Sequence, residues 1–124
     1  LAANLRLECN VSILGYCYGG SLAWLAMQKS FIFEKGVCYY GSSIADFLSS
    51  DINCKAMLHF GKNDKSIPEN QINKIKNYSN TQNNKVTINE YQDADHGFNC
   101  EDRKTFNKQA ADLAFERSLN FMEE

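Results

Sequence analysis

The sequence has no CxxC pair, no cluster of basic residues, no charged residue from Cys9 to Gln28, and a single proline in 124 residues. Each absence excludes something. Its five cysteines, Cys9, Cys17, Cys38, Cys54 and Cys100, are odd in number and lack paired spacing, which argues against a zinc site or a disulfide framework. Reduced thiols in a cytoplasm are the expectation, with Cys38 and Cys54 as small core residues. Thirteen basic residues against fifteen acidic ones, scattered along the chain, leave no electrostatic footprint for nucleic acid or an anionic membrane. No signal-peptide pattern is visible. The uncharged stretch raises the question of a membrane span, but Gly15, Gly19 and Gly20 interrupt it and its apolar period changes there. That is the pattern of a buried strand followed by a buried helix. With no repeats, low-complexity tracts or linkers, one domain is expected. The first residue is Leu rather than Met, which suggests a portion of a longer product.

What is present alternates between strand and helix patterns. Leu1 to Cys9 reads as a helix tail or loop, with Arg6 and Glu8 exposed. Val11 to Gly15 suits a strand buried on both faces. Tyr18 to Lys29 reads as a helix apolar around most of its girth and therefore well buried. Phe31 to Lys35 links it to a strand over Gly36 to Tyr40. Ile44 to Ser50 is ambiguous, at most a helical turn. Lys55 to Phe60 is a third strand, closed by Gly61. Ser66-Ile67-Pro68-Glu69 has the form of a capping box, with Ser66 as N-cap and Glu69 reaching back, and predicts a helix to about Tyr78 with Ile72 and Ile75 inside. Lys85 to Tyr91 is a weaker strand near a sheet edge. A terminal helix carries an apolar stripe of Phe106, Ala110, Leu113, Ala114 and Phe121, with Lys104, Lys108, Asp112 and Glu116 facing water. Such alternation predicts an α/β fold with a mostly parallel sheet flanked by helices.

The stretch Leu14-Gly15-Tyr16-Cys17-Tyr18-Gly19-Gly20 has the form of a nucleophile elbow with cysteine at its apex. Gly15 and Gly19 would flank a turn too tight for side chains, and Gly20 would let the helix lie close to the sheet. Cys17 would be held in a strained conformation, and the helix N-terminus behind it would favour the thiolate.

Ligand sites in open parallel sheets lie at the carboxyl ends of strands. Cys17 follows the first expected strand, Asp64 the third and His96 the fourth. Nucleophile, acid, histidine is the chain order of the hydrolase fold that uses this elbow. In that arrangement Cys17 attacks a carbonyl, His96 takes and returns the proton, Asp64 orients the imidazole, and the Tyr18 backbone N–H serves the oxyanion. Plainer readings exist for each residue. Asp64 also fits an Asx-turn that ends a strand. Asp93 and Asp95 are rival acids beside His96. His59, inside an apolar strand, reads as a core or lining histidine. Trp24 and the Tyr39-Tyr40 pair read as packing, with Tyr40 and Gly41 placed to line a pocket.

Taken together, these residues resemble the dienelactone hydrolase family of the α/β-hydrolase fold. The likeness runs through Leu14 to Gly20, Tyr39-Tyr40-Gly41, His59-Phe60-Gly61 with Asp64, His96-Gly97-Phe98, and the terminal Ala110 to Arg117. It implies hydrolysis of a small ester or lactone by a Cys17-His96-Asp64 triad, without metal or cofactor. It also implies that the first strands of the fold precede this sequence, together with a second oxyanion donor, an acidic residue that controls the thiol and a substrate-binding arginine. The chain is then the C-terminal part of one domain, its partner is the N-terminal half, and Val11 to Gly15 is an uncovered apolar edge. The family's arginine shortly after the histidine has one counterpart here, Arg103, seven residues on. Arg103 is either a substrate ligand with Tyr40 or a cap or ion pair on the final helix. A catalytically incomplete module of the same fold is the alternative function.

Overall fold

The structure, a computed structural model, describes residues 4 and 9–124. The reading of Leu1 to Cys9 as a helix tail, with Arg6 and Glu8, therefore falls almost wholly outside the described residues. In order the elements are β1 (Val11–Tyr16), α1 (Tyr18–Lys29), β2 (Phe33–Tyr39), a 3-10 turn (Ile44–Asp46), β3 (Lys55–Gly61), α2 (Glu69–Ser79), β4 (Val86–Tyr91) and α3 (Lys108–Glu123). The strands form one sheet in the order β1-β2-β3-β4, and every pair is parallel. Parallel neighbours need crossovers, which the intervening segments supply.

Strand alternation assigns the helices to faces. Along β2, Gly36 points at α1, where an added Cβ would stand 2.1 Å from the Met27 sulfur. Lys35 and Tyr39 point the other way, to α3: Lys35 Nζ donates to the carbonyls of Phe121 and Glu124 at 2.8 and 2.7 Å, and the Tyr39 hydroxyl meets Ser118 Oγ at 3.2 Å. Trp24 on α1 meets Tyr78 on α2 edge to face, centroids 5.5 Å apart, so these two helices share a face. Buried Lys35 is satisfied because helix ends leave carbonyls without intrahelical donors.

Several expectations are corrected. β2 begins at Phe33, so the expected linker Phe31 to Lys35 lies largely in a strand, where Lys35 finds its carbonyl partners. The capping box does not form: Pro68 is the N-cap of α2, with no side-chain cap bond. The reason is the preceding turn, in which the Ser66 N–H donates to Asp64 Oδ1 at 2.8 Å. β1 is half exposed rather than buried on both faces: it is an edge strand among the described residues, with β2 as its one strand partner. α1 is covered on one side alone: Tyr18 and Leu22 are exposed. On α3 the buried positions are Ala110, Ala111, Ala114, Ser118 and Phe121, whereas Leu113 faces outward and Phe106 precedes the helix. Among the described residues no helix is long and apolar enough to cross a membrane.

Among the described residues, His59 is the core side chain whose free imidazole would titrate near neutrality. It is fully buried, and desolvation, helped by the Arg117 charge, pushes its pKa down to about 3. The unfolded chain binds this proton below about pH 6.5 and the folded chain does not. Stability is therefore complete above that pH and falls as the solution is acidified towards the folded value. Urea unfolding should show a loss of up to about 1.4 kcal/mol per pH unit below pH 6. His59→Gln should flatten the part of this slope above the carboxylate range; an identical slope in the variant would refute the assignment.

Candidate active site

The elbow forms as the glycines require. Cys17 sits between β1 and α1 at φ 54, ψ −120, left-handed backbone that side chains rarely adopt. Its N–H donates to the Tyr39 carbonyl at 3.0 Å, and its carbonyl accepts from Gly20 at 2.9 Å. A Cβ on Gly15 would stand 2.0 Å from the Gly19 carbonyl oxygen, and one on Gly20 would stand 2.7 Å from the Tyr39 oxygen. Gly19 is different from expectation: a Cβ there would meet nothing within 4 Å among the described residues. The turn needs Gly15 because of Gly19's backbone, not the reverse. Tyr18 is the first residue of α1, so its N–H is among those a helix leaves without an intrahelical acceptor.

Asp64 and His96 are brought together by the loops that follow β3 and β4. The Lys62 N–H donates to the Tyr91 carbonyl at 2.9 Å and the Asn63 N–H to the Ala94 carbonyl at 3.0 Å. The two loops run so close that a Cβ on Gly61 would stand 2.2 Å from the Ala94 oxygen. The Asp64 carboxylate, fully buried, then takes two donors. Oδ1 accepts the Ser66 N–H, and Oδ2 lies 2.7 Å from His96 Nδ1. The Asx-turn and the histidine partner are thus the same carboxylate. Neither Asp93 nor Asp95 takes this place. The Thr105 hydroxyl fixes the His96 carbonyl at 2.8 Å.

Cys17 does not hydrogen-bond His96 among the described residues. What joins the two is Tyr40, held at φ 38 at the end of β2. Its ring centroid is 5.2 Å from that of His96, and it shares with Cys17 an open cavity of about 300 Å³. Tyr16, Asn99, Cys100 and Arg103 complete the lining. Arg103 lies over Gly97, where an added Cβ would be 2.7 Å from its guanidinium. It does not cap α3; Asn107 does, accepting the Ala110 N–H at 3.0 Å. Asn99 was not among the residues singled out by sequence, although its nearness to His96 in the chain was a usable signal. Among the described residues no group of three or more His, Cys, Asp or Glu is placed to hold a metal ion.

Burial pushes the Cys17 pKa up, the Arg103 charge pulls it back, and Cys100 and Asp64 push it up further. The net direction is upward, against the thiolate-favouring expectation, because burial, the largest influence, favours the neutral thiol.

Comparison with known proteins agrees with this architecture. The model of the dienelactone hydrolase family matches residues 3–124. A carboxymethylenebutenolidase of Pseudomonas putida is 30% identical over 114 residues, 90% of this chain and 48% of its own length. A Salmonella typhimurium protein provisionally named as a carboxymethylenebutenolidase is 26% identical over 119 residues, 88% of this chain and 44% of its own. A Klebsiella pneumoniae protein, provisionally named as a dienelactone hydrolase, superposes with TM-score 0.81 at 24% identity over 91% of this chain and 51% of that one. The acylaminoacyl peptidase of Pyrococcus horikoshii superposes with TM-score 0.75 at 14% identity, over 93% of this chain and 24% of that one. These structural likenesses show the fold, part of an α/β-hydrolase sheet. The chain spans about half the length of the curated relatives it matches.

Two predictions follow from the electrostatics. Iodoacetamide alkylation of Cys17, tracked by mass spectrometry, should reach half its limiting rate above the ordinary thiol pH, and Arg103→Ala should move that point higher still. No upward movement would remove Arg103 from the thiol's surroundings. Asp64→Ala should cost about 1–3 kcal/mol of stability by stranding the Ser66 N–H, whereas Asp64→Asn keeps an acceptor there and should cost less. Equal costs in urea unfolding would refute the double use of this carboxylate.

Proposed function

Because the chain belongs to the dienelactone hydrolase family, we propose that it carries the catalytic residues of a hydrolase for small carboxylic esters or lactones, of the carboxymethylenebutenolidase type. The observation that supports this most is the 2.7 Å pairing of His96 Nδ1 with buried Asp64, around Tyr40 from a cysteine held at a strained elbow. With Nδ1 donating to Asp64, a neutral imidazole leaves Nε2 as the acceptor. In this reading Nε2 removes the Cys17 proton, and the thiolate adds to the substrate carbonyl. The Tyr18 N–H donates to the resulting oxyanion. His96 then protonates the leaving oxygen, a thioester remains on Cys17, and a water activated by His96 hydrolyses it. The reading requires neither a metal nor a cofactor. Arg103 and Tyr40, lining the cavity beside Cys17, are the substrate contacts, with Arg103 suited to an anionic group.

The partner in this reading is the N-terminal half of the same domain, seated on the free edge of β1 and on the exposed apolar residues Leu14 and Tyr16 of β1 and Phe115 and Leu119 of α3. It would supply the second oxyanion donor. The protein expressed from its complete coding sequence should hydrolyse p-nitrophenyl acetate, and Cys17→Ala and His96→Ala should each lower kcat/KM by at least about 1,000-fold. Activity surviving both substitutions would remove this mechanism. A folded but inactive wild-type protein would favour the non-catalytic module.

A further inference from the structure

The α3 face of the sheet holds a run of buried polar atoms that the proposed chemistry does not use. Tyr16, Tyr39 and His59 are register partners across β1, β2 and β3, with ring centroids 4.6 Å apart at each step. Both nitrogens of His59 are bonded: Nδ1 lies 2.8 Å from the Tyr91 hydroxyl and Nε2 2.8 Å from Ser118 Oγ. Ser118 Oγ in turn lies 3.2 Å from the Tyr39 hydroxyl. Beyond Tyr91, the Arg117 guanidinium carbon lies over that ring, 5.4 Å from its centre.

His59 has a hydroxyl at each nitrogen, and Ser118 Oγ bridges His59 Nε2 and the Tyr39 hydroxyl. A neutral imidazole donates at one nitrogen and accepts at the other, so the proton on His59 sets the sense of both neighbouring bonds. Donations of one sense polarise one another, so Tyr91, His59, Ser118 and Tyr39 act together.

The far end of the chain is the residue from which the elbow hangs. The Tyr39 carbonyl accepts the Cys17 N–H at 3.0 Å and packs against Gly20. Its neighbour Tyr40, the residue between Cys17 and His96, donates its N–H to the His59 carbonyl at 2.8 Å. A Tyr39 ring flanked on both sides by tilted rings and held at its hydroxyl leaves its carbonyl little freedom.

We infer that Ser118 is a positioning residue for Cys17: it passes the Tyr91-His59 hydrogen-bond chain on to Tyr39 and so fixes the carbonyl that holds the elbow. The effect on turnover rests on the proposed thiol hydrolase; the effects on His59 and Cys17 rest on geometry alone.

The test compares Ser118→Ala, Ser118→Thr and Met122→Ala in the protein expressed from its complete coding sequence. Met122 packs on the same face of α3 but is outside the chain. Nitrogen NMR of the wild type should show His59 in one neutral tautomer, and Ser118→Ala should lose that single tautomer. The same variant should change the rate of Cys17 alkylation by at least about three-fold. It should lower kcat on the activated ester about ten-fold with KM held within about two-fold. Ser118→Thr, which keeps a hydroxyl, should restore all three readouts. Met122→Ala should lower the unfolding midpoint and leave them at wild-type values. A mixture of His59 tautomers in the wild type, or the wild-type tautomer kept in Ser118→Ala, would overturn the inference. So would a Ser118→Ala protein that is destabilised like Met122→Ala but alkylated at the wild-type rate. Should the wild type hydrolyse no ester, tautomer and alkylation still decide the matter, so the two proposals fail separately.

Discussion

One carboxylate holds the candidate site together. Asp64 is buried, and a buried charge is tolerated where its oxygens have donors. One oxygen takes the Ser66 N–H and closes the loop after β3; the other takes His96 and fixes the loop after β4. Losing either donor would leave the remaining oxygen desolvated without compensation. The loops are also joined by their own backbone bonds, from Lys62 to Tyr91 and from Asn63 to Ala94, at a separation that Gly61 alone permits. The imidazole is therefore oriented by backbone geometry first and by charge second.

Cys17 is held by a different economy. Its left-handed backbone costs on the order of 1–3 kcal/mol and persists where the surroundings over-determine it. Here they do: Gly15 gives the turn its closeness, Gly20 lets α1 rest on the end of β2, and the Tyr39 carbonyl receives the Cys17 N–H. The strain is borne by elements that the apolar core already fixes, since Tyr39 and Tyr40 are both buried.

Much of this was legible in the sequence because it rests on local chemistry. Glycines around Cys17 state how little room the turn has, and period-two and period-3.6 patterns state which segments are strands and helices. The pairing of Asp64 with His96 follows from parallel strands ending at one edge. What was not legible depended on partners distant in the chain. Ser66 looked like an N-cap because nothing local shows that Asp64 takes its N–H. Lys35 looked like linker because the carbonyls that satisfy it belong to residues 121 and 124. Leu22 and Leu113 looked buried because periodicity reports which face is apolar, not whether anything covers it. The elevated Cys17 pKa was missed for the same reason: desolvation is a sum over neighbours, and sequence names few of them.

The site thus has a fixed part and an adjustable part. The Asp64-His96 pair has a buried carboxylate, a partly exposed imidazole and loops set by backbone bonds, so ionic strength should touch it less than an exposed pair. The acidity of Cys17 is set by opposing influences of unequal robustness. Burial is a property of the fold and does not respond to salt, whereas the opposing Arg103 charge sits on an exposed side chain and is screened over roughly 8 Å at physiological ionic strength. Any surface that covers the cavity removes water from both, and it strengthens the Arg103 attraction as well as the desolvation. An anionic substrate that engages Arg103 would spend the same charge a second time, drawing it away from the thiol at the moment of binding. In the proposed mechanism, proton removal from Cys17 then falls to His96, the group whose orientation Asp64 fixes.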